Sequence, residues 1–262
     1  MSTLFVVATP IGNLGDISPR GLECLQAVDL IACEDTRHTA KLLHHFGIKK
    51  SMESYHDFNE EAKARQLVSR IREGLKVALV SDAGTPGVSD PGYRLVRACR
   101  ESGVPVVAIP GANAAVTALS ASGLPPDEFL FVGFLPVKLN ARREKLESLR
   151  GVTATLIFYE APHRIQEMLR DVLEVLGDRE ACIGRELTKL HEEYLFGKLA
   201  EVIPKVNPLG EFVIVVAGGT GAGADEPREV TLEGLSRKEI LKLLAEKTGI
   251  PKKVLYDALL KD

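Results

Sequence analysis

The sequence predicts two α/β domains followed by a small helical tail. Three observations carry that expectation. Strand-like and helix-like patterns alternate from the N-terminus to about residue 121. The alternation resumes after a break at Ser122-Gly123-Leu124-Pro125-Pro126-Asp127. A glycine-rich run, Gly218-Gly219-Thr220-Gly221-Ala222-Gly223-Ala224-Asp225, then precedes a short charged end. The expected boundaries are 1–121 and 122–217 for the domains, 218–225 for a linker and 226–262 for the tail.

Leu4–Ala8 reads as a buried strand running into Thr9-Pro10-Ile11-Gly12-Asn13-Leu14-Gly15. Ser18-Pro19 is an N-cap followed by proline at the first helical position, so a helix runs to about Ala27. Leu30–Cys33 is a short buried strand, and Thr36–Phe46 a helix ended by Gly47. Ser51–Tyr55 is the next strand. Asn59 opens an amphipathic helix with Ala64, Leu67, Val68 and Ile71 on one face and Gly74 beyond its end. Lys76–Val80 is a strand, Tyr93–Glu101 a helix stopped by Gly103, and Val104–Ile109 another strand. This order implies a mainly parallel sheet covered by helices.

In the second half the expected strands are Phe129–Gly133, Thr153–Tyr159, Ala181–Arg185 and Glu211–Ala217, with Glu192–Phe196 as a further candidate. Helices are expected at Asn140–Leu149 and Pro162–Leu176, with another ending near Val206. The tail holds two helical patterns, Arg237–Lys247 and Lys252–Leu260, spaced like a small helix-turn-helix.

Composition excludes several classes. A net charge of −3 argues against a generic nucleic-acid coat but leaves room for a local basic patch. The four cysteines are scattered and form no C-x-x-C, which suggests neither a zinc site nor disulfides and fits a reduced cytoplasmic compartment. The N-terminal apolar run is too short for a signal peptide. Val104–Leu124 is broken by Pro105, Pro110 and Gly111, so it is a poor membrane span.

The richest stretch is Ser81-Asp82-Ala83-Gly84-Thr85-Pro86-Gly87-Val88-Ser89-Asp90-Pro91-Gly92. It follows a strand, at the edge where open α/β sheets bind ligands. The loops after Ala8 and Ile109, the latter Pro110-Gly111-Ala112-Asn113-Ala114-Ala115, share its character. None of the three is a dinucleotide fingerprint or a Walker A loop. They suit a small ligand held by backbone groups without a phosphate cradle.

Together with other motifs these loops resemble the tetrapyrrole methylase superfamily, the class III S-adenosylmethionine-dependent methyltransferases. The matching segments are Ala8–Leu14, Glu34-Asp35-Thr36-Arg37-His38-Thr39, Ser81–Pro86, Phe158-Tyr159-Glu160, His163-Arg164, Arg185-Glu186-Leu187-Thr188-Lys189 and Gly210-Glu211-Phe212. The chain is most similar to the branch that methylates a cytidine 2′-hydroxyl in 16S rRNA of the small ribosomal subunit. Ala83 stands where the superfamily more usually has proline, and agrees with that branch. The resemblance implies a donor cleft between the two α/β domains, S-adenosyl-L-methionine as methyl donor, no metal, 16S rRNA as partner and a homodimer.

It also distributes the site residues. Pro10, Asp82, Ala83, Gly84, Thr85, Ala114, Ala115 and Tyr159 fall on the donor side. Glu34, Arg37, His56, Glu160, Arg185 and Glu186 fall on the acceptor side, with no residue assigned as base. Each also has a plain structural role to set against this. Asp82 could cap its own loop, Asp35 could cap a helix, though Arg37 opposes the positive end of that helix's dipole and is harder to explain so, and His56 could be a surface histidine as readily as a base. Glu160 with His163 and Arg164 could be an ion pair. The run Lys138, Arg142, Arg143, Lys145, Arg150 is either an exposed helix face or a phosphate-binding surface. Two other functions stay open: methylation of a tetrapyrrole or other small molecule, and a non-enzymatic RNA-binding assembly factor.

Overall fold

A computed structural model describes residues 2–56 and 60–221, together with 240, 241 and 256. The chain divides into two compact units, Met1–Gly221 and Ala222–Asp262. Of the second, Ile240, Leu241 and Tyr256 are helical. The rest of the expected tail helices, like Asn59, lies outside the described residues.

The first unit holds two five-stranded sheets. Strands β1 (Thr3–Val7), β2 (Leu30–Cys33), β3 (Ser51–Ser54), β4 (Lys76–Val80) and β5 (Val106–Ile109) form the first, in the order β3-β2-β4-β1-β5. Every pairing is parallel. Helices α1 (Pro19–Ala27), α2 (Thr36–His45), α3 (Glu60–Arg72) and α4 (Tyr93–Glu101) connect these strands. The apolar alternation of β1, β2 and β4 feeds two cores. One contains Leu4, Leu67, Ile71, Leu79 and Leu95; the other contains Val7, Leu25, Ile31, Leu43 and Val80. Such cores on both sides are what a fully parallel sheet requires.

The expected caps are present. Ser18 Oγ accepts from Gly21 N–H, Asp35 from Arg37 N–H, and Gly47 takes a positive φ of 65° after α2. Helix α4 is capped from a distance instead. The buried Glu60 carboxylate accepts from Gly92 N–H at 3.0 Å and Arg94 N–H at 3.2 Å. Tyr55 donates its hydroxyl to the same carboxylate and accepts from Leu95 N–H. The far end of the loop after β4 is therefore anchored to α3.

The second sheet has the order β6-β7-β10-β8-β9, from β6 (Phe129–Phe134), β7 (Thr155–Glu160), β8 (Glu180–Arg185), β9 (Glu193–Lys198) and β10 (Phe212–Val216). β6 and β7 run parallel; the other pairings are antiparallel. Helices α6 (Leu139–Leu149), α7 (Ile165–Leu176) and α8 (Leu199–Val202) cover one face, around Leu146, Phe158, Leu169, Val172 and Ile214. Helix α7 begins at Ile165, not at Pro162. Pro162 and His163 lie in a turn, and Arg164 is the cap.

The other face is covered by α5 (Ala114–Ala121), which sequence patterning did not mark as a helix. Its Ala115, Ala118 and Leu119 pack with Ile11 from the loop after β1 and Ile157, Cys182, Val213 and Val215 from the second sheet. Asn113 caps it by accepting from Val116 N–H. This shared cluster joins the two sheets.

Candidate active site

The three glycine- and proline-rich loops leave β4, β1 and β5, which are neighbours in the sheet. The fold thus gathers at one edge what the chain spreads over a hundred residues. Thr9 and Gly84 exchange backbone hydrogen bonds at 2.9 and 3.1 Å, and Thr85 Oγ1 donates to Ala112 C=O at 3.1 Å. Gly84 lies at φ 82°, where a side chain is strained, and a Cβ at Gly111 would fall 2.9 Å from Ala8 Cβ. The loops are laced together so closely that two glycines are needed.

Two adjoining cavities open on these loops. The first, about 360 Å³, is lined by Ala83, Gly84, Thr85, Ser89, Asp90, Asn113 and Ala114 from the first sheet. Phe134, Tyr159, Glu160, Leu187 and Val213 line it from the second. Its volume and mixed lining suit a small-molecule site. Ser89 sits on its wall at φ 63°, a backbone strain that collects at functional sites. Tyr159 stacks edge-on against Phe131 and Phe134, and its hydroxyl accepts from Ala115 N–H at 3.1 Å. Burial pushes the Tyr159 phenol up, and the nearby Asp90 charge adds to this.

Glu160 is the most constrained acid here. Its side chain is 0% exposed and holds Arg164 through Oε1 at 2.5 Å. Oε1 also accepts from Ala161 N–H, while Oε2 has no hydrogen-bond partner among the described residues. A buried carboxylate oxygen without a protein partner is met by water or by a ligand group.

The second cavity, about 390 Å³, is lined by Thr9, Pro10, Gly12, His38, Thr39, Lys41, Asp82 and Lys189. Ile11, Ala83 and Glu211 line both. Pro10 and Asp82 therefore stand on the second cavity, apart from Gly84, Thr85, Ala114 and Tyr159 on the first, with Ala83 between. Asp82 Oδ1 accepts from Asp35 N–H at 3.1 Å, tying the loop after β4 to the loop after β2. Ala115 contributes its backbone N–H to Tyr159 rather than a surface to either cavity.

Glu160 lies on the first cavity, with the residues expected on the donor side. Glu34, Arg37, His56, Arg185 and Glu186 line neither. Glu34 and His56 are half-buried at the ends of β2 and β3, on the same sheet edge. Arg37 is 88% exposed and paired with Asp35 at 2.8 Å. Arg185 pairs with Glu193 at 2.9 Å, and Glu186 supports the loop that carries Lys189. Sequence reasoning places Lys189 only as a neighbour of the Arg185-Glu186 cluster and does not single out Glu211, although both lie within the quoted motifs. The basic run is also partly spent inside the protein. Arg142 is 0% exposed and bound to Asp171 and Glu167, and Arg143 is bound to Asp171 and Glu174.

Among the described residues no group of three or more His, Cys, Asp or Glu side chains could hold a metal ion. No described helix is long and apolar enough to cross a membrane.

A cleft of this kind, at the carboxyl edge of a parallel sheet and closed by a mixed second sheet, is where open α/β sheets hold small ligands. The model of the Tetrapyrrole (Corrin/Porphyrin) Methylases matches residues 3–203. The fold agrees with the crystal structure of the methyltransferase CobJ, at a TM-score of 0.62 and 19% identity over 83% of this chain and 95% of that one. It agrees equally with a diphthine synthase, at a TM-score of 0.62 and 18% identity over 82% and 90%. The chain belongs to this family, and within it to the group named Ribosomal RNA small subunit methyltransferase I. The relative of that name from Vibrio cholerae is 51% identical over 97% of this chain and 92% of its own length. Those from Micromonospora olivasterospora and Bacillus subtilis are 49% and 43% identical, over 97% and 98% of this chain and 85% and 94% of their own lengths.

Proposed function

We propose that this protein transfers a methyl group from S-adenosyl-L-methionine to the 2′-hydroxyl of a cytidine in small-subunit ribosomal RNA. The observation that carries the reading is the pair of adjoining cavities at the β4, β1 and β5 loops. The first is lined from both halves of the fold; the second adjoins it and shares Ile11, Ala83 and Glu211 with it. The names of the relatives supply the nucleic-acid class. The cytidine 2′-hydroxyl comes from the motif resemblance.

The first cavity fits the donor. Its apolar wall of Ile11, Val88, Leu187, Phe212 and Val213 suits an adenosine. Asp90 and the unsatisfied Glu160 Oε2 suit the donor's positive charge and N–H groups. S-adenosylmethionine supplies a methyl group already activated on sulfonium. The protein's task is then to hold donor and acceptor in line and keep water out. Ala83, Gly84, Thr85 and Tyr159 would grip the donor, with Asp82, Pro10 and His38 beside the incoming ribose. The reading places the enzyme in the cytoplasm, where small subunits are assembled.

We further infer a homodimer. Edge strand β6 and the segment after it expose Phe129, Leu130, Phe134, Val137 and Leu139, an apolar run that suits a second copy.

Calorimetry with S-adenosylmethionine, followed by transfer of labelled methyl to small subunits lacking the modification, tests the function. Saturable donor binding and label in the RNA are expected. Donor binding with label passing only to a tetrapyrrole would favour the small-molecule reading. No donor binding would favour a non-enzymatic RNA-binding factor.

A further inference from the structure

Of the three residues that line both cavities, Ile11 and Ala83 are apolar and Glu211 alone carries an ionisable side chain. Its side chain is 77% exposed, open to an incoming substrate, and it immediately precedes the buried strand β10. Lys189 Nζ donates to Glu211 Oε2 at 2.9 Å and to Glu186 Oε1 at 2.9 Å. Glu186 Oε1 also accepts from Glu211 N–H at 2.9 Å, and Glu186 N–H donates to Glu211 C=O at 2.9 Å.

The fold invests heavily in this arrangement. The supporting loop holds two non-glycine residues in the left-handed region, Glu186 at φ 51° and Thr188 at φ 66°. Each such position is strained and persists only where the surroundings enforce it. A Cβ at Gly12 would collide with the Lys189 side chain, and one at Gly210 with that of Glu186. Both glycines make room for the same pair of side chains.

Burial works against the Lys189 ammonium, but its bonds to Glu186 and Glu211 outweigh this and raise its pKa. It is a fixed cation at neutral pH and cannot accept a proton. The Glu211 carboxylate can.

We propose that Glu211 is a catalytic residue that takes the proton of the acceptor hydroxyl, with Lys189 as its positioning residue. The hydroxyl oxygen bonds to the methyl carbon as the carbon–sulfur bond breaks and leaves its electron pair on sulfur. The O–H proton passes to a Glu211 oxygen. A carboxylate is a sufficient base, because an alcohol oxygen that is gaining a methyl becomes strongly acidic. This assignment rests on the methyl-transfer reading above.

The test compares wild type, Glu211→Gln, Glu211→Asp and Lys189→Met. Single-turnover transfer to small subunits is measured beside donor affinity by calorimetry. General-base catalysis contributes about 10²–10⁴-fold. Glu211→Gln should therefore slow transfer about 100-fold or more, with donor affinity within about threefold of wild type. Glu211→Asp should restore part of the rate, and Lys189→Met should slow transfer with unchanged donor affinity. Transfer by Glu211→Gln within about threefold of wild type, or a parallel loss of donor affinity, overturns the assignment. If Glu211→Gln does not fold, Glu211→Asp decides, and an unchanged rate in it overturns the assignment. A wild-type protein that binds donor but labels no RNA overturns the function itself, and this assignment with it.

Discussion

Replacing Asp171 by alanine should destabilise the protein severely, because it strands a buried cation. Arg142 and Asp171 side chains are 1% and 5% exposed, with Nε and Oδ2 2.6 Å apart. Asp171 Oδ1 also accepts from Arg143 Nε at 3.0 Å. Without Asp171, the Arg142 guanidinium keeps only Glu167, which is itself largely exposed, and the Val137 carbonyl. Removing one partner of a buried pair costs about 3–5 kcal/mol. For a chain of this size each kcal/mol lowers Tm by about 2–4 °C, so a fall of about 6–20 °C is expected. Thermal melts followed by circular dichroism, with urea titrations beside them, read the effect. The double variant Arg142→Met/Asp171→Leu should recover most of the loss, since no charge is then left buried. The exposed Arg170→Ala is the control and should stay within about 0.5 kcal/mol. A loss below about 1 kcal/mol in Asp171→Ala would refute the reasoning. It would also return Arg142 to the surface as a candidate for RNA phosphates.

Three further outcomes follow from other contacts. Tyr159→Phe leaves the Ala115 N–H without its partner, so a loss of about 1–3 kcal/mol in urea titrations is expected together with weaker donor binding. Full retention of donor affinity would remove Tyr159 from the donor wall. Glu60→Ala uncaps α4 and should cost about 1–3 kcal/mol; unchanged stability would mean that water caps the helix equally well. Asp35 should titrate at about 2, because the Arg37 side chain and backbone N–H hold its carboxyl below the usual range. A depressed folded pKa stabilises above the unfolded value and loses that contribution as pH falls toward 2. Carboxyl NMR should show this midpoint, and Arg37→Ala should move it upward. An ordinary midpoint of about 3.9 in wild type would contradict the ion pair.

The parallel first sheet was legible because its strands and caps carry strong local signals. Ser18 and Asp35 cap where their type and position suggest, and Gly47 ends α2. What local pattern does not contain is strand order. That β4, β1 and β5 are neighbours, and that their loops therefore form one wall, is a property of the whole sheet. Helix α5 escaped because Ala114–Ala121 has no strong polar face and packs against the second sheet. Periodicity is lost there, and Asn113 was its one clear signal. Arg142 looked like surface because its acids, Glu167 and Asp171, lie on the next helix. Glu211 looked like the plain start of a strand. Only the meeting of β10 with the loop after β8 gives it a lysine and two cavities.

Nucleoside analysis of the product tests the central claim most directly. Small subunits lacking the modification are incubated with the protein and labelled S-adenosylmethionine, and the RNA is digested to nucleosides and resolved by mass spectrometry. The account predicts a single labelled species, cytidine methylated on its ribose 2′-oxygen. Label on a base, on another nucleoside, or on protein alone would contradict it.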